Sequence, residues 1–357
     1  MIEDGIKPEP SSFKQAQARY RRQPHAPDRL DDLSDLVDFS RGGDDRIMTV
    51  DLNLPENVTC YRGPVYGLRD FPGLLYAPQA LAESLQTDLA YAAVSQYCEA
   101  PHVTNIDSVL PKPTEEDNAD ESMWELWKKT NGHGCGDDND EDTKQAVSSS
   151  SGNKKKYRSF RKLSWATMGY HYDWNARTYH EGAKSPMSEQ LAKVTHLFAT
   201  TSLLADGSNK PPVNYTATAC ITNYYHGKSV MGGHRDDLEL ALDKPLVSLS
   251  MGRPAVFLMG GKTKDCNPVV PILVRPGDVL IMGGDSRLKY HSMARLLPST
   301  DLLPPVNARC IPRLGQQVGG MQEGEDAIPT HDRQALASFL QQHRMNMSVR
   351  QVYSDQE

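Results

Sequence analysis

Long apolar runs are missing from this 357-residue chain. None approaches the ~18 consecutive apolar residues of a membrane-crossing helix, so no membrane partner is expected. Paired cysteines are missing too. Cys60, Cys98, Cys135, Cys220, Cys266 and Cys310 are scattered, with no C-x-x-C among them. Together with the absence of an opening apolar signal segment, this points to a reducing intracellular setting: nucleus, mitochondrion or cytoplasm. Early acids at Glu3, Asp4 and Glu9 are what a mitochondrial transit peptide would avoid. Internal repeats are absent, and a single-chain monomer is expected.

A basic surplus is also lacking, because the formal net charge is -7. Its distribution matters more than its sum. Lys112 to Thr143 holds eleven acids against three bases, which leaves the rest of the chain close to neutral. Lys154-Lys155-Lys156, with Arg158, Arg161 and Lys162, forms a basic cluster. It is read either as a phosphate track, as a nuclear address or as a solubilising linker. The acidic total therefore does not exclude a polyanionic partner.

What is present falls into four parts. Residues 1–60 read as a Pro-rich arm, partly disordered, with a short helix over Ser11 to Arg22. Residues 61–130 hold a buried strand from Phe71 to Tyr76 and helices at Ala80 to Cys98 and Glu121 to Lys129. Trp124 and Trp127 of that last helix are taken as core packing rather than base stacking. Residues 131–157 are Gly, Asp, Ser and Lys with hardly an apolar side chain, too little to offset the entropy of ordering. We expect them to be a disordered insertion. In residues 158–357 short strand signals recur between Gly/Pro turns, at Leu163 to Tyr172, Thr218 to Tyr225, Pro245 to Ser250, Pro254 to Met259, Val269 to Val274 and Val279 to Met282. A helix at Asp332 to Gln342 and a closing strand at Arg344 to Tyr353 follow. The predicted fold is α+β, a double-stranded β-helix (jelly roll) core with an N-terminal helical arm and flanking helices.

His234-Arg235-Asp236 is the first motif with chemical content. Side chains at i and i+2 of a strand leave one face about 6.6 Å apart, within reach of one cation. A lone His-x-Asp is weak, since such pairs also form ordinary hydrogen bonds. With His291 downstream it supplies two imidazoles and one carboxylate, the facial triad that holds Fe(II) and leaves positions open. Arg344, Asn346 and Arg350 are separated by even numbers, so one extended face presents all three. They are either edge-strand charges or a clamp for a dicarboxylate, which a guanidinium fork grips in a way Lys does not. Asn223 and Tyr225 share a strand face just upstream. His234-Arg235-Asp236-Asp237-Leu238 also mimics a protein-kinase catalytic loop. Ala241 stands where such a loop needs Asn, no Asp-Phe-Gly follows and no Gly-rich phosphate loop precedes it.

Asn223-Tyr224-Tyr225, His234-x-Asp236, His291 and Arg344-Met345-Asn346-Met347-Ser348-Val349-Arg350-Gln351 together resemble the AlkB family of Fe(II)- and 2-oxoglutarate-dependent dioxygenases. Gly169-Tyr170-His171-Tyr172-Asp173-Trp174 and Val65 to Gly73 are similar to its eukaryotic homolog 1 branch. So are Ser12-Phe13 and Val37-Asp38-Phe39-Ser40. The resemblance implies that His234, Asp236 and His291 bind iron and form the catalytic centre. It implies that Arg344 and Tyr225 hold the distal carboxylate of 2-oxoglutarate, with Asn223, Asn346 and Arg350 near its chelating end. The activity implied is oxidative demethylation of N-methylated nucleobases, methyladenine in tRNA or DNA, with release of succinate, CO2 and formaldehyde. A protein substrate such as a histone, or a binding protein with a vestigial site, are the alternatives. Nucleic acid, as tRNA or unpaired DNA, is the expected partner; Tyr170, His171, Tyr172 and Trp174 either stack on its base or form a packed strand and turn, with His171 taken by itself read as structural. Bacterial members carry Asp at the position of Leu238, which leaves Glu239 as the nearest carboxylate for base recognition.

Overall fold

The computed structural model describes residues 11–21, 33–52, 54–107, 121–131, 159–173, 176–205, 214–227, 229–298 and 328–354. The expected insertion beyond Asn131, with its lysine run, and Trp174 lie outside these residues. In chain order the elements are α1 (Ser12–Tyr20), β1 (Ile47–Thr49), β2 (Tyr66–Leu68), β3 (Phe71–Ala77), α2 (Glu83–Ser95), β4 (Val103–Thr104) and α3 (Met123–Asn131). Then come β5 (Trp165–Asp173), β6 (Thr178–Lys184), α4 (Glu189–Ala205), β7 (Ala219–His226), β8 (Met231–His234), β9 (Leu246–Gly252) and β10 (Ala255–Met259). β11 (Val270–Val274), β12 (Val279–Met282), β13 (His291–Leu296), α5 (Thr330–Gln342) and β14 (His343–Arg350) complete the set.

Two antiparallel sheets result. The larger runs β1-β2-β3-β12-β9-β14-β7-β5-β4, with β6 paired to β5, and the smaller runs β11-β10-β13-β8. The expected jelly roll is present, and strands from the arm and from residues 61–130 extend its larger sheet.

Period-two patterning decides what each face of the large sheet does. Along β14, Met345, Met347 and Val349 point into the main core, while Arg344, Asn346, Ser348 and Arg350 line a cavity between the sheets. β9 repeats the scheme: Val247, Leu249 and Met251 face the core, and Leu246, Ser248 and Ser250 face the cavity. The outer face is covered by α2, α4 and α5 through Leu89, Phe198 and Phe339, among others. Trp124 and Trp127 of α3 stack 5.2 Å apart and pack edge-on against Phe339, so their packing role holds. The longest helix, α4, was not among the expected elements.

The small sheet is closed from outside by α1. Phe13 sits in a slot whose walls are Gly233 and Gly260, where any Cβ would lie 2.6 Å from its ring. Gln17 donates to the Met231 carbonyl at 3.3 Å, tying the helix to edge strand β8. The arm is fastened a second time by Asp38, whose two oxygens each accept 2.6 Å bonds from Arg275 in a buried fork.

Arg275-Pro276-Gly277-Asp278 turns β11 into β12, and the Asp278 carboxylate is 2% exposed. It accepts from the Tyr76 hydroxyl and from the main-chain N–H groups of Arg275 (2.6 Å) and Gln79 (2.8 Å). Burial nevertheless pushes its pKa up to about 6. A folded pKa above the unfolded one means a contribution fully present below pH ~4 and lost as pH rises through 6. At 1.36 kcal/mol per unit, the change is on the order of 3 kcal/mol. Urea unfolding of wild type and Asp278→Asn at pH 4, 5, 6 and 7 should show the variant gaining relative to wild type as pH rises. A constant difference across that window would refute it.

Candidate active site

His234 is the last residue of β8, and His291, its direct partner across the ladder, is the first of β13. Their rings lie 4.3 Å apart. Asp236 falls two residues beyond the end of β8, in a segment without regular structure. This corrects the expectation that one strand face carries both His234 and Asp236: the ladder pairs the histidines, and the loop returns the carboxylate to them. His291 Nε2 is 3.6 Å and His234 Nε2 4.0 Å from the Asp236 oxygens. The three ligand atoms lie within 4.8 Å of one another.

Both imidazoles are oriented from behind. His234 Nδ1 is 2.9 Å from the Gly232 carbonyl and His291 Nδ1 is 3.1 Å from the Lys289 carbonyl. A carbonyl can only accept, so each Nδ1 carries the proton and each Nε2 offers its lone pair to the centre. Burial and the neighbouring His291 pull the His234 pKa down, favouring the neutral ligand form. Burial alone would raise Asp236, but Arg350 and the two imidazoles outweigh it and hold the carboxyl well below its usual range. Two imidazole nitrogens and a carboxylate form a donor set that fits a divalent metal.

Opposite the triad, across a cavity of about 570 Å³, stand Asn223 and Tyr225 of β7 with Arg344 and Asn346 of β14, whereas Arg350 of the same strand reaches the triad itself, its Nη1 3.4 Å from Asp236 Oδ1. Tyr225 is cross-strand partner to Arg344, and Asn223 to Asn346. Arg344 is 1% exposed; it donates to the Arg253 carbonyl at 3.1 Å and to Ser250 Oγ at 2.9 Å. Its Nε has no partner, and no carboxylate pairs with it among the described residues. A buried guanidinium without a counter-ion is costly unless a ligand supplies the charge. Asn346 Oδ1 is held by Ser248 Oγ at 2.8 Å, which leaves its amide donors toward the cavity.

The sequence profile described as the 2OG-Fe(II) oxygenase superfamily matches residues 137–350. A human protein named nucleic acid dioxygenase ALKBH1 is 30% identical over 342 residues, covering 90% of this chain and 79% of its own. This chain is a member of the 2OG-Fe(II) oxygenase superfamily, in the ALKBH1 branch of its AlkB family. Two further relatives carry more specific names. The Arabidopsis thaliana DNA N(6)-methyladenine demethylase ALKBH1A is 26% identical over 365 residues, 96% of this chain and 93% of that one. The Schizosaccharomyces pombe tRNA demethylase abh1 is 27% identical over 242 residues, 66% and 72% respectively.

Membership of the AlkB family makes iron and 2-oxoglutarate the cofactors, and the cavity gathers all eight residues expected to serve them. The substrate residues divide. Tyr172 lines the cavity, as do Arg177 from the β5–β6 turn and Leu238. Tyr170 and His171 do not. Tyr170 packs edge-on against Tyr353 with Lys184 over its ring, and His171 Nδ1 is 2.9 Å from Thr167 Oγ1. Glu239, the carboxylate expected to read a base, is 4% exposed and already engaged. Its Oε1 accepts from Tyr179 (3.1 Å) and Arg350 (2.9 Å), and its Oε2 from Arg287 (3.1 Å). Sequence reasoning missed Ser248, Ser250, Tyr179 and Arg287. The serines carry a legible signal, alternating with Val247, Leu249 and Met251; Arg287 carries none.

Proposed function

We propose that this chain demethylates N-methylated nucleobases, methyladenine in tRNA or DNA, by oxidation with Fe(II), O2 and 2-oxoglutarate. The observation that carries the reading is one cavity with a three-ligand metal site on one wall and an uncompensated buried guanidinium on the other. His234, Asp236 and His291 hold the metal. Arg344 and the Tyr225 hydroxyl take the distal carboxylate of 2-oxoglutarate, and Asn223 and Asn346 border its other end. Iron and cosubstrate together supply an oxidant strong enough for an N-methyl C–H bond, with succinate and CO2 as by-products. The hydroxylated methyl is a hemiaminal, which breaks its C–N bond to release formaldehyde and the free base nitrogen.

The remaining task falls to the protein: to admit the methyl group and keep water out. Phe257, Met293, Leu280 and Met282 make the cavity wall largely apolar, and Tyr172, Arg177 and Leu238 also line it. A base inside a duplex cannot reach such a depth, so the target nucleotide enters from an unpaired or extruded position. The relatives' names support nucleic acid as the substrate class. Among the described residues, no helix is long and apolar enough to cross a membrane.

The test is a substrate panel: methylated tRNA, methylated single-stranded DNA and a methyl-lysine histone peptide, each incubated with Fe(II) and 2-oxoglutarate. Mass spectrometry should show loss of 14 Da from one or both nucleic acids, by exchange of methyl for hydrogen. Demethylation of the peptide alone would overturn the reading.

A further inference from the structure

We infer that Glu239 is not a base-reading group but a buried counter-charge that reserves Asp236 for the metal, with Arg287 as its anchor. The inference rests on the metal site proposed above. Arg287 is not part of the cavity lining, and Glu239, which is, has both oxygens engaged by Tyr179, Arg350 and Arg287, so both act as positioning residues.

The geometry begins with Arg350. Its Nη1 stands 3.4 Å from Asp236 Oδ1 and 2.9 Å from Glu239 Oε1, so the two carboxylates share one guanidinium, and Glu239 has the shorter contact. Arg287, 1% exposed, grips the same segment from the other side. Its Nη1 donates to the Asp236 main-chain carbonyl at 2.5 Å, its Nη2 to Glu239 Oε2 at 3.1 Å and its Nε to the Lys244 carbonyl at 3.3 Å. The loop from Asp236 to Glu239 is therefore held by side chain and backbone at once. Leu240 and Ala241 N–H then bond the Val352 carbonyl and fix its far end.

Charge gives this arrangement a consequence beyond rigidity. Asp236 and Glu239 balance Arg287 and Arg350, so the buried group is neutral before any metal enters. Without the Glu239 charge, two desolvated guanidiniums would flank a divalent cation. Arg350, released from its shorter contact, would turn fully onto Asp236 and compete with the metal for its oxygens. A carboxylate that served only to pack the loop would not have this effect.

The experiment uses the full chain with Co(II) as probe, read by visible absorption and by the metal-induced rise in Tm. Glu239→Gln, nearly isosteric, should weaken Co(II) binding by about 10- to 100-fold, the usual range for outer-shell changes. The apo protein should lose Tm as well, because a buried guanidinium is left without its counter-charge, and the metal-bound protein should lose more. Pairing it with Arg287→Met restores a one-to-one charge count, and the double variant should regain at least threefold in affinity over Glu239→Gln alone. Co(II) affinity of Glu239→Gln within twofold of wild type, or equal Tm losses with and without metal, would overturn the inference. A double variant that binds no better than the single would overturn the charge argument too. His234→Ala is the control: if it binds Co(II) as wild type does, the metal site itself is misassigned and the counter-charge is not what failed.

Discussion

His234→Ala is expected to remove 2-oxoglutarate turnover, lowering succinate formation by at least about a thousandfold, or some 4 kcal/mol in barrier terms. His234 ends an edge strand whose ladder partner is His291, and its Nδ1 is pinned to the Gly232 carbonyl, so its Nε2 has a single direction to face. With alanine there, only His291 and Asp236 remain, too few to hold a metal that keeps open positions. The fold should tolerate the change, because the His234 side chain is 35% exposed. The purified variant should therefore keep its far-ultraviolet circular dichroism and lose both metal-induced stabilisation and succinate. Undiminished succinate in a folded variant would sink the metal assignment.

How much of this was legible in sequence depends on the range of the physics involved. Alternation is local, and it exposed β14 and β7 almost residue by residue: Arg344, Asn346 and Arg350 share a face because their separations are even. The end of β8 was not legible. A strand reading of His234-Arg235-Asp236 needs three extended residues, whereas the ladder stops at His234 and the next residues leave the sheet. The helix α4 was overlooked although Leu191, Val194 and Phe198 recur at i, i+3 and i+7 on its buried face. Its threonines disguised it, since β-branched residues favour strands; here Thr195 and Thr201 bond back to the Leu191 and Leu197 carbonyls inside the helix. Glu239 shows the hardest limit. Nothing in the neighbourhood of Leu238-Glu239-Leu240 announces Arg287, 48 positions away, or Arg350, 111 away. A carboxylate next to a metal motif looks available until its long-range partners are known.

Arg344→Lys is expected to raise the apparent KM for 2-oxoglutarate by about 10- to 100-fold, with kcat nearly unchanged and Co(II) affinity retained. The guanidinium forks: one arm holds the Arg253 carbonyl and another Ser250 Oγ, while its charge has no carboxylate partner among the described residues. A lysine keeps the charge but has no fork, so it must choose between the structural acceptors and the cosubstrate. Loss of one charge-assisted bond is worth roughly 1.5–3 kcal/mol, which sets the range for KM. An effect on KM alone marks an interaction made equally with bound cosubstrate and transition state. Arg344→Met sharpens the assignment through stability. It removes a desolvated charge that has no carboxylate partner among the described residues and substitutes an apolar chain in a site next to Tyr225 and Ser250. That gain is set against the Arg253 carbonyl and Ser250 hydroxyl, which lose their donor, so the net change in apo Tm should be small. An Arg344→Met protein with unchanged or higher Tm in the absence of cosubstrate, no rise in Tm on adding 2-oxoglutarate, and intact Co(II) binding would identify the guanidinium as a group kept for its ligand. A large fall in the apo Tm, with the 2-oxoglutarate response preserved, would make it a structural cation instead.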